Sequence, residues 1–376
     1  MVLTFPHIGN TFITAKALLD DLQIPYIIPP FNSQKTLEIG KTYAPEGHCL
    51  PFKIFFGNLI EAYELGANAM LIVGGCGPCK LGYFGEMLKR LANESGFNID
   101  VITFDIKGVP IDEIIKRLKR ITNTLNPAKL LLAANNAKNI AIALDELSML
   151  AGKTRCIEKN KGSVDRTLDE LRQEALETIG SNALKKVIYK YKQRLLSIEM
   201  KTPDKQGLAP LKIGIVGEIY TTNEPFANLQ LEKKLGSMGV YTERKVTVSQ
   251  WIVDHMLKKK LHLPVDESCL KEAEPYIGAM IGGHTQHTVG NSVIHAKEGF
   301  DGIIHIYPLG CMPEIVSQSI LPNIENDYDI PIMTLIIDEM TGEAGFDTRL
   351  EAFVDLLYKR RRRIQNELHK RMLLGH

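Results

Sequence analysis

The sequence predicts an α/β protein in which two parallel-sheet domains face a cleft. Strand-like and helix-like runs alternate through the first half of the chain, and the same alternation restarts near residue 209. Between these halves the strand-like runs disappear, and charged, Leu and Ala residues dominate. Because 376 residues exceed one typical core, we predict an N-terminal α/β domain over 1–152, a helical connector over 153–208 and a C-terminal α/β domain over 209–376.

The first half contains short apolar runs separated by segments of helical periodicity. We predict strands at Val2–Phe5, Pro25–Ile28, Ala69–Val73 and Asn98–Phe104, and helices at Thr11–Leu22, Leu50–Leu65, Gly85–Ala92 and Ile111–Thr122. Strands that alternate with helices are typical of βαβ units. We therefore expect a parallel sheet with both faces covered.

The connector and the second half follow the same logic. Helical segments are predicted at Thr167–Thr178, Asn182–Leu196, Asn228–Met238 and Leu350–Ile364, and strands at Lys212–Gly217, Val240–Val246, Gly302–Ile306 and Pro331–Ile337. Thr202–Gly207 has the composition of a linker. A second α/β domain, about as large as the first, is therefore expected.

Composition and charge exclude several function classes. The net charge of +1 gives no signal for nucleic-acid binding, and we read the basic run Lys359–Arg363 as a solvated helix face, with a docking patch as the alternative. No stretch approaches the ~20 apolar residues of a membrane helix, and the N-terminus lacks the pattern of a secretory signal. We expect a cytoplasmic protein with no nucleic-acid or membrane partner, whose clustered cysteines bind metal or do redox chemistry rather than form disulfides.

Four of the six cysteines lie in loops beside glycine and proline. Cys76 and Cys79 follow the strand-like run 69–73, Cys311 follows the run 302–306, and Cys49 precedes a helix-like segment. Ligands of open α/β sheets bind at the carboxyl ends of strands. Two domains facing a cleft would therefore bring three cysteines of the first half and one of the second into a four-thiolate site.

The residues alone leave the nature of this site open. Cys76 and Cys79 have the two-residue spacing that lets both thiolates reach one centre, which suits an iron–sulfur cluster, a zinc site or a dithiol redox pair. A structural zinc site usually joins two such pairs, and the sequence has one. Cys156 and Cys269 lack this loop context, so we expect them to be ordinary half-buried cysteines. If they were ligands, a larger double-cubane cluster would become possible.

Several motifs, taken together, resemble one protein family. They are Glu46–Lys53 (EGHCLPFK), Gly75–Tyr83 (GCGPCKLGY), Pro308–Glu314 (PLGCMPE), Asp338–Gly345 (DEMTGEAG) and Thr348–Phe353 (TRLEAF). With its strands, the chain resembles the 2-hydroxyacyl-CoA dehydratase component superfamily, which also holds the benzoyl-CoA reductase subunits and double-cubane cluster proteins. The resemblance is closest to the stand-alone, CoA-activase-related branch and covers nearly the whole chain.

This resemblance implies two Rossmann-like domains with a [4Fe-4S] cluster in the cleft, and Cys49, Cys76, Cys79 and Cys311 match the ligand positions. It also implies a partner, an ATP-hydrolysing activator of the actin/sugar-kinase fold that supplies low-potential electrons, and it points to a homodimer. The chain itself has no ATP-binding phosphate loop, which fits an electron acceptor. The alternatives are a non-catalytic cluster carrier or interaction partner, and a zinc-stabilised α/β binding protein.

Two residues beside the cysteines are candidates for catalysis. His48 could bond a cluster sulfide or protonate a substrate, or it could be a loop histidine. Glu314 follows Cys311 closely, and it could act in catalysis or form a salt bridge. Arg349 is the predicted partner of Glu314 or of the acidic run Asp338–Glu339.

Two further segments contain candidate ligands. His284 and His287 lie in a glycine-flanked segment that we predict to be a polar loop, with cleft lining or metal binding as alternatives. The segment after the first strand of the second half has four polar residues where an α/β sheet exposes its ligands. They are Glu218, Tyr220, Asn223 and Glu224, with helix capping by Asn223 as the alternative.

Overall fold

A computed structural model of the chain describes residues 1–74, 79–105, 111–122, 126–201, 209–249, 267–279 and 281–374. The strands are β1 (Leu3–Thr4), β2 (Ala69–Gly74), β3 (Asp100–Asp105), β4 (Leu211–Gly217), β5 (Val240–Arg244), β6 (Gly302–Pro308) and β7 (Ile332–Ile337). They form two parallel sheets, one ordered β1-β2-β3 and the other β5-β4-β6-β7. The predicted α/β class is confirmed.

The described helices fall between and after these strands. They are α1 (Thr11–Asp21), α2 (Gln34–Tyr43), α3 (Leu50–Glu64), a 3₁₀ turn (Lys80–Tyr83), α4 (Phe84–Glu94), α5 (Ile111–Ile121), α6 (Pro127–Arg155), α7 (Ser163–Glu177), α8 (Ser181–Leu196), α9 (Ile219–Asn223), α10 (Leu231–Ser237), α11 (Ser268–Ala273), α12 (Thr285–Lys297), α13 (Met312–Tyr328) and α14 (Glu343–Leu374).

Strand β2 shows how the first sheet is buried on both faces. Met70 and Ile72 pack with α2, α3 and α4 in one core, whereas Ala69 points into a second core formed with α1, α6, α7 and α8. Side chains of a strand alternate between faces, so a continuously apolar run is what a doubly covered strand requires. Helices from the predicted connector thus cover one face of the first sheet.

The two halves share one continuous core. The cluster around α3 also contains Ile213 of β4, Ile306 of β6 and Leu350 of α14. We call the contact between the two halves the seam. There the rings of Phe55 and Tyr220 meet edge to face, with centroids 5.1 Å apart. The seam therefore holds the carboxyl ends of strands from both sheets near one another.

Three local predictions differ from the structure. Residues 25–28 do not form a strand: Tyr26 makes only an isolated bridge with Leu3, because prolines at both ends of the run limit backbone donors. Helix α2 was not predicted, although Ser33 and Thr36 form a capping box at its start. Helix α14 extends beyond the predicted span at both ends.

The domain boundaries stay predictions. The boundary at residue 152 falls inside α6, and the linker-like run 202–207 lies outside the described residues.

In the basic run on α14, Arg361 pairs with Asp301 and Arg360 with Asp329, so that helix face is partly bonded rather than fully solvated. Among the described helices, none combines the length and the apolar character needed to cross a bilayer.

Candidate metal centre

The three described cysteines of the predicted site each cap the start of a helix. Cys49 caps α3, Cys79 caps the 3₁₀ turn that leads into α4, and Cys311 caps α13. Cys79 follows the end of β2, and Cys311 follows the end of β6. The positive ends of three helix dipoles thus lie at the cysteines, where they favour thiolates. Cys76 lies outside the described residues.

Loops of both halves meet at these cysteines. A Cβ atom at Gly283 would lie 3.8 Å from the Cβ of Cys79 and 2.7 Å from the Pro313 ring, next to Cys311. Gly283 has a positive φ of 58°, so its conformation and the close packing both favour glycine. Cys79 also interacts electrostatically with Cys49 and with Cys311. Within the described part of the chain, the structure therefore brings three predicted site residues into one neighbourhood.

Thiolates are ligands of both zinc ions and iron–sulfur clusters. The three described thiols therefore form a donor set that either kind of centre accepts.

Burial outweighs the helix starts and raises the pKa values of these thiols. Burial raises the pKa of Cys49 to about 12, and the Glu218 carboxylate adds to this effect. Burial and the same carboxylate raise the pKa of Cys311 far above its usual range, and burial also raises the pKa of Cys79. Metal binding would therefore release protons from the thiols.

Glu218 sits at the carboxyl end of β4 and caps α9. Its carboxylate accepts hydrogen bonds from the backbone N–H groups of Tyr220 (2.9 Å) and Thr221 (2.8 Å). Burial raises the pKa of Glu218, and Glu314 raises it further. The predicted cap Asn223 instead ends α9, where its amide donates to the carbonyl of Ile219. The alternative that Asn223 caps the start of a helix is therefore wrong, and Glu218 is the capping residue of α9.

A buried histidine–glutamate pair lies beneath Cys311. His305 Nε2 lies 3.0 Å from Glu314 Oε2, and both side chains are almost fully buried. The other Glu314 oxygen accepts from the hydroxyl of Thr288, and the other His305 nitrogen lies 3.3 Å from the hydroxyl of Thr334. Glu314 thus links α13, α12 and β6.

Arg349 does not take its predicted acidic partners. Its guanidinium donates to the backbone carbonyl of Thr334. Glu314 bonds His305, and Glu339 forms an ion pair with Lys53 of α3. A buried lysine of the first half is nearer to Glu339 than the arginine of α14, so the acidic run ties the halves together.

His48 lies beside Cys49, as predicted. Its ring packs on Phe52 with a centroid separation of 4.5 Å, and its Nδ1 has no hydrogen-bond partner among the described residues. Burial and the nearby Lys80 lower the pKa of His48. A neutral imidazole therefore stands next to one thiol, and its catalytic role stays a prediction.

The remaining candidates take other positions. His287 lies in the first turn of α12 and His284 caps that helix, so the predicted loop is wrong. Tyr220 and Glu224 are buried seam residues, since Tyr220 accepts from Asn32 and Glu224 accepts from Gly9. Cys156 is buried rather than half-buried at the end of α6, and it donates to the carbonyl of Lys153. Cys269 is half-buried on α11.

One group of metal-binding residue types was missed. Ligand atoms of Glu243, His295 and Glu298 all lie within 4.8 Å of one another. Burial lowers the pKa of His295 to about 4, and a buried polar group without a partner costs ~1–3 kcal/mol. The His295-x-x-Glu298 spacing at a helix end was the available signal.

Comparison of the sequence with models of known families finds no match, and none of the curated proteins matches it.

Proposed function

We propose that the chain is an iron–sulfur protein of the 2-hydroxyacyl-CoA dehydratase type. It would accept low-potential electrons from an ATP-hydrolysing activator and use them in a reductive or radical step. The observation that carries this proposal is the meeting of Cys49, Cys79 and Cys311 at three helix starts on the seam. Cys76 is the proposed fourth ligand, on sequence grounds.

The fold supports the finer architecture of the proposal. Both sheets are parallel, and Cys79 and Cys311 each follow the carboxyl end of a strand. In Rossmann-like folds, ligands bind at this edge of the sheet. We propose that the two halves are Rossmann-like and that the seam between their strand ends is the cluster cleft.

The donor set fits a [4Fe-4S] cluster better than a zinc ion. Thiolates are the usual ligands of both, but a structural zinc site usually joins two Cys-x-x-Cys pairs, and the proposed site has one such pair and two single cysteines. Iron–sulfur clusters supply one-electron transfer, with a potential set by net charge, hydrogen bonds and burial. The carboxylates of Glu218 and Glu314 add negative charge near the cysteines, which favours a low potential.

The chain's own residues would orient and shield this centre. Glu314 is held by His305 and Thr288, so the first turn of α13 keeps one orientation. Ion pairing of Lys53 with Glu339 ties α3 of the first half to the segment that follows β7 of the second half. His48 stands beside Cys49 with one ring nitrogen unbonded among the described residues, where it could exchange a proton with a substrate.

Large apolar side chains close in sequence to Cys79, Cys311 and Glu339 are exposed to solvent: Tyr83, Leu309, Met312, Ile315 and Met340. Clusters of exposed apolar residues mark interaction sites. We propose that the activator docks here, because an electron donor must approach the cysteines closely.

The first test is purification without oxygen, followed by measurement of iron, acid-labile sulfide, zinc and the visible spectrum. About four irons and four sulfides per chain, with broad absorption near ~400 nm, would support a cubane. Stoichiometric zinc without sulfide would overturn the proposal and favour a zinc-stabilised binding protein. A cluster that the activator with ATP does not reduce would favour a non-catalytic cluster carrier.

A further inference from the structure

An uncommon group of side chains lies at the edge of the second sheet, on strand β5. Tyr241 and Glu243 lie on one face of this strand, and Lys245 follows directly after it. Helix α12 ends against the same face, with His295 in its last turn and Glu298 directly after it. The carboxylate oxygens and an imidazole nitrogen lie within 4.8 Å of one another.

His295 is the member that the protein alone leaves unsatisfied. Its side chain is 0% exposed, and neither ring nitrogen has a hydrogen-bond partner among the described residues. The ring is fixed between the backbone of Gly214, where a Cβ would lie 2.5 Å from the ring, and Phe300, with a centroid separation of 4.5 Å. Buried polar groups without a partner are rare and call for a ligand or a function.

The positively charged ammonium of Lys245 lies between the two carboxylates of this group. Its ammonium lies 3.0 Å from a Glu243 oxygen and 2.9 Å from a Glu298 oxygen. The hydroxyl of Tyr241 donates to the other oxygen of Glu243 and orients that carboxylate. The ammonium neutralises both carboxylates but leaves the imidazole without a bond.

We propose that Glu243, His295 and Glu298 bind a divalent transition-metal ion, which displaces the Lys245 ammonium. One imidazole and two carboxylates form a ligand set that zinc accepts, whereas magnesium and calcium prefer oxygen ligands alone. Glu298 is exposed and gives the ion a path from solvent. The bound ion would tie the edge strand β5 to the end of α12.

The test is a Co²⁺ titration of the full-length protein, followed by visible absorption. Cobalt held by nitrogen and oxygen ligands gives weak d–d bands, whereas cobalt on the cysteines adds intense sulfur-to-metal charge transfer. The spectrum therefore distinguishes the two sites, so a negative result for the edge site leaves the proposed cysteine centre untouched. We expect the edge site to contribute d–d bands and no charge transfer, so any charge transfer in the same titration reports cobalt on the cysteines.

Three variants distinguish the site from adventitious binding. Glu298→Gln should weaken this binding at least tenfold, because even an outer-shell change costs ten- to hundredfold in metal affinity. Lys245→Met should tighten it about tenfold, since two competing ion pairs are removed. Glu272→Gln is the matched control, because Glu272 is a neighbouring glutamate whose lysine partner is Lys297. Its affinity should equal that of the wild type.

The proposal is overturned if the wild type shows no such bands, or if Glu298→Gln and Glu272→Gln bind cobalt equally. It is also overturned if Lys245→Met does not raise the affinity, since the ammonium would then not occupy the ion's position.

Discussion

The cysteine centre and the edge group of Glu243, His295 and Glu298 differ in how the chain builds them. The cysteines come from both halves and meet only where the seam closes. The edge group comes from one half and needs only β5 packed on α12. A site assembled across a seam depends on every contact that closes the seam, whereas a local site depends on its own sheet. Each prediction below tests this difference.

The largest effect should follow Cys311→Ser. Hydroxyl oxygen is a poor ligand for iron in a sulfur cluster, so we expect most iron and acid-labile sulfide to be lost. Cobalt binding at the edge group should be unchanged. Cys156→Ser is the matched control, because Cys156 bonds the Lys153 carbonyl and is not one of the proposed ligands. Equal iron in both variants would contradict the proposed centre.

Glu314→Ala should lower stability by about 3 kcal/mol or more, because it leaves His305 and Thr288 buried without their partner. The free energy of unfolding in urea measures this change. Glu94→Ala removes an exposed pair with Arg90 and should cost less than ~1 kcal/mol. A similar cost for both variants would mean that the buried pair does not hold α13.

Acid should weaken the first half through His7. Burial lowers the pKa of His7 to about 4, below the value of 6.5 in the unfolded chain. The unfolded state therefore binds the proton first, and stability falls as the pH drops from about 6.5 toward 4. This group contributes up to about 3 kcal/mol of that loss.

The measurement is the unfolding free energy between pH 7 and pH 4. His7→Gln should show a smaller loss than the wild type over that range. His369→Gln, which changes an exposed histidine on α14, should keep the wild-type slope. If His7→Gln also keeps it, His7 is not the group that titrates.

The smallest effect should follow Gly283→Ala. A left-handed backbone costs an alanine about 1–2 kcal/mol, and here its methyl would also press on Pro313 beside Cys79. We expect a loss of about 2 kcal/mol together with lower iron content. Gly96→Ala has the same backbone strain with no neighbour within 4 Å, so it should lose stability but keep its iron. Identical iron content in the two variants would show that the Gly283 contact does not shape the centre.

Strands were predictable where both faces of the strand are buried, because such a strand needs a nearly continuous apolar run. The runs at β2, β4 and β6 are mostly apolar, and Lys212 and His305 are single polar residues within the last two of them. The run at 25–28 has similar residues, but its flanking prolines allow only a bridge. Helix α2 was missed because it is short and mostly polar, so its capping box was the stronger signal.

The candidate sites show the same limit. Cysteines that follow parallel strands were expected to converge, because the carboxyl ends of such strands share one edge. The partner of Glu339 was not predictable, since Lys53 comes from a distant helix that only the seam brings near. Glu243 and His295 are likewise distant in sequence, and His295 in a helix looks like any buried histidine.

The order of the cysteines along the chain has a consequence for biosynthesis. Cys49 and Cys79 leave the ribosome early, but Cys311 follows only after more than two hundred further residues. At ~5–20 residues per second, the early thiols wait on the order of ten seconds or longer for their partner. For the proposed cluster to form, the thiols of Cys49 and Cys79 must therefore be protected from oxidation during translation and until the metal is delivered.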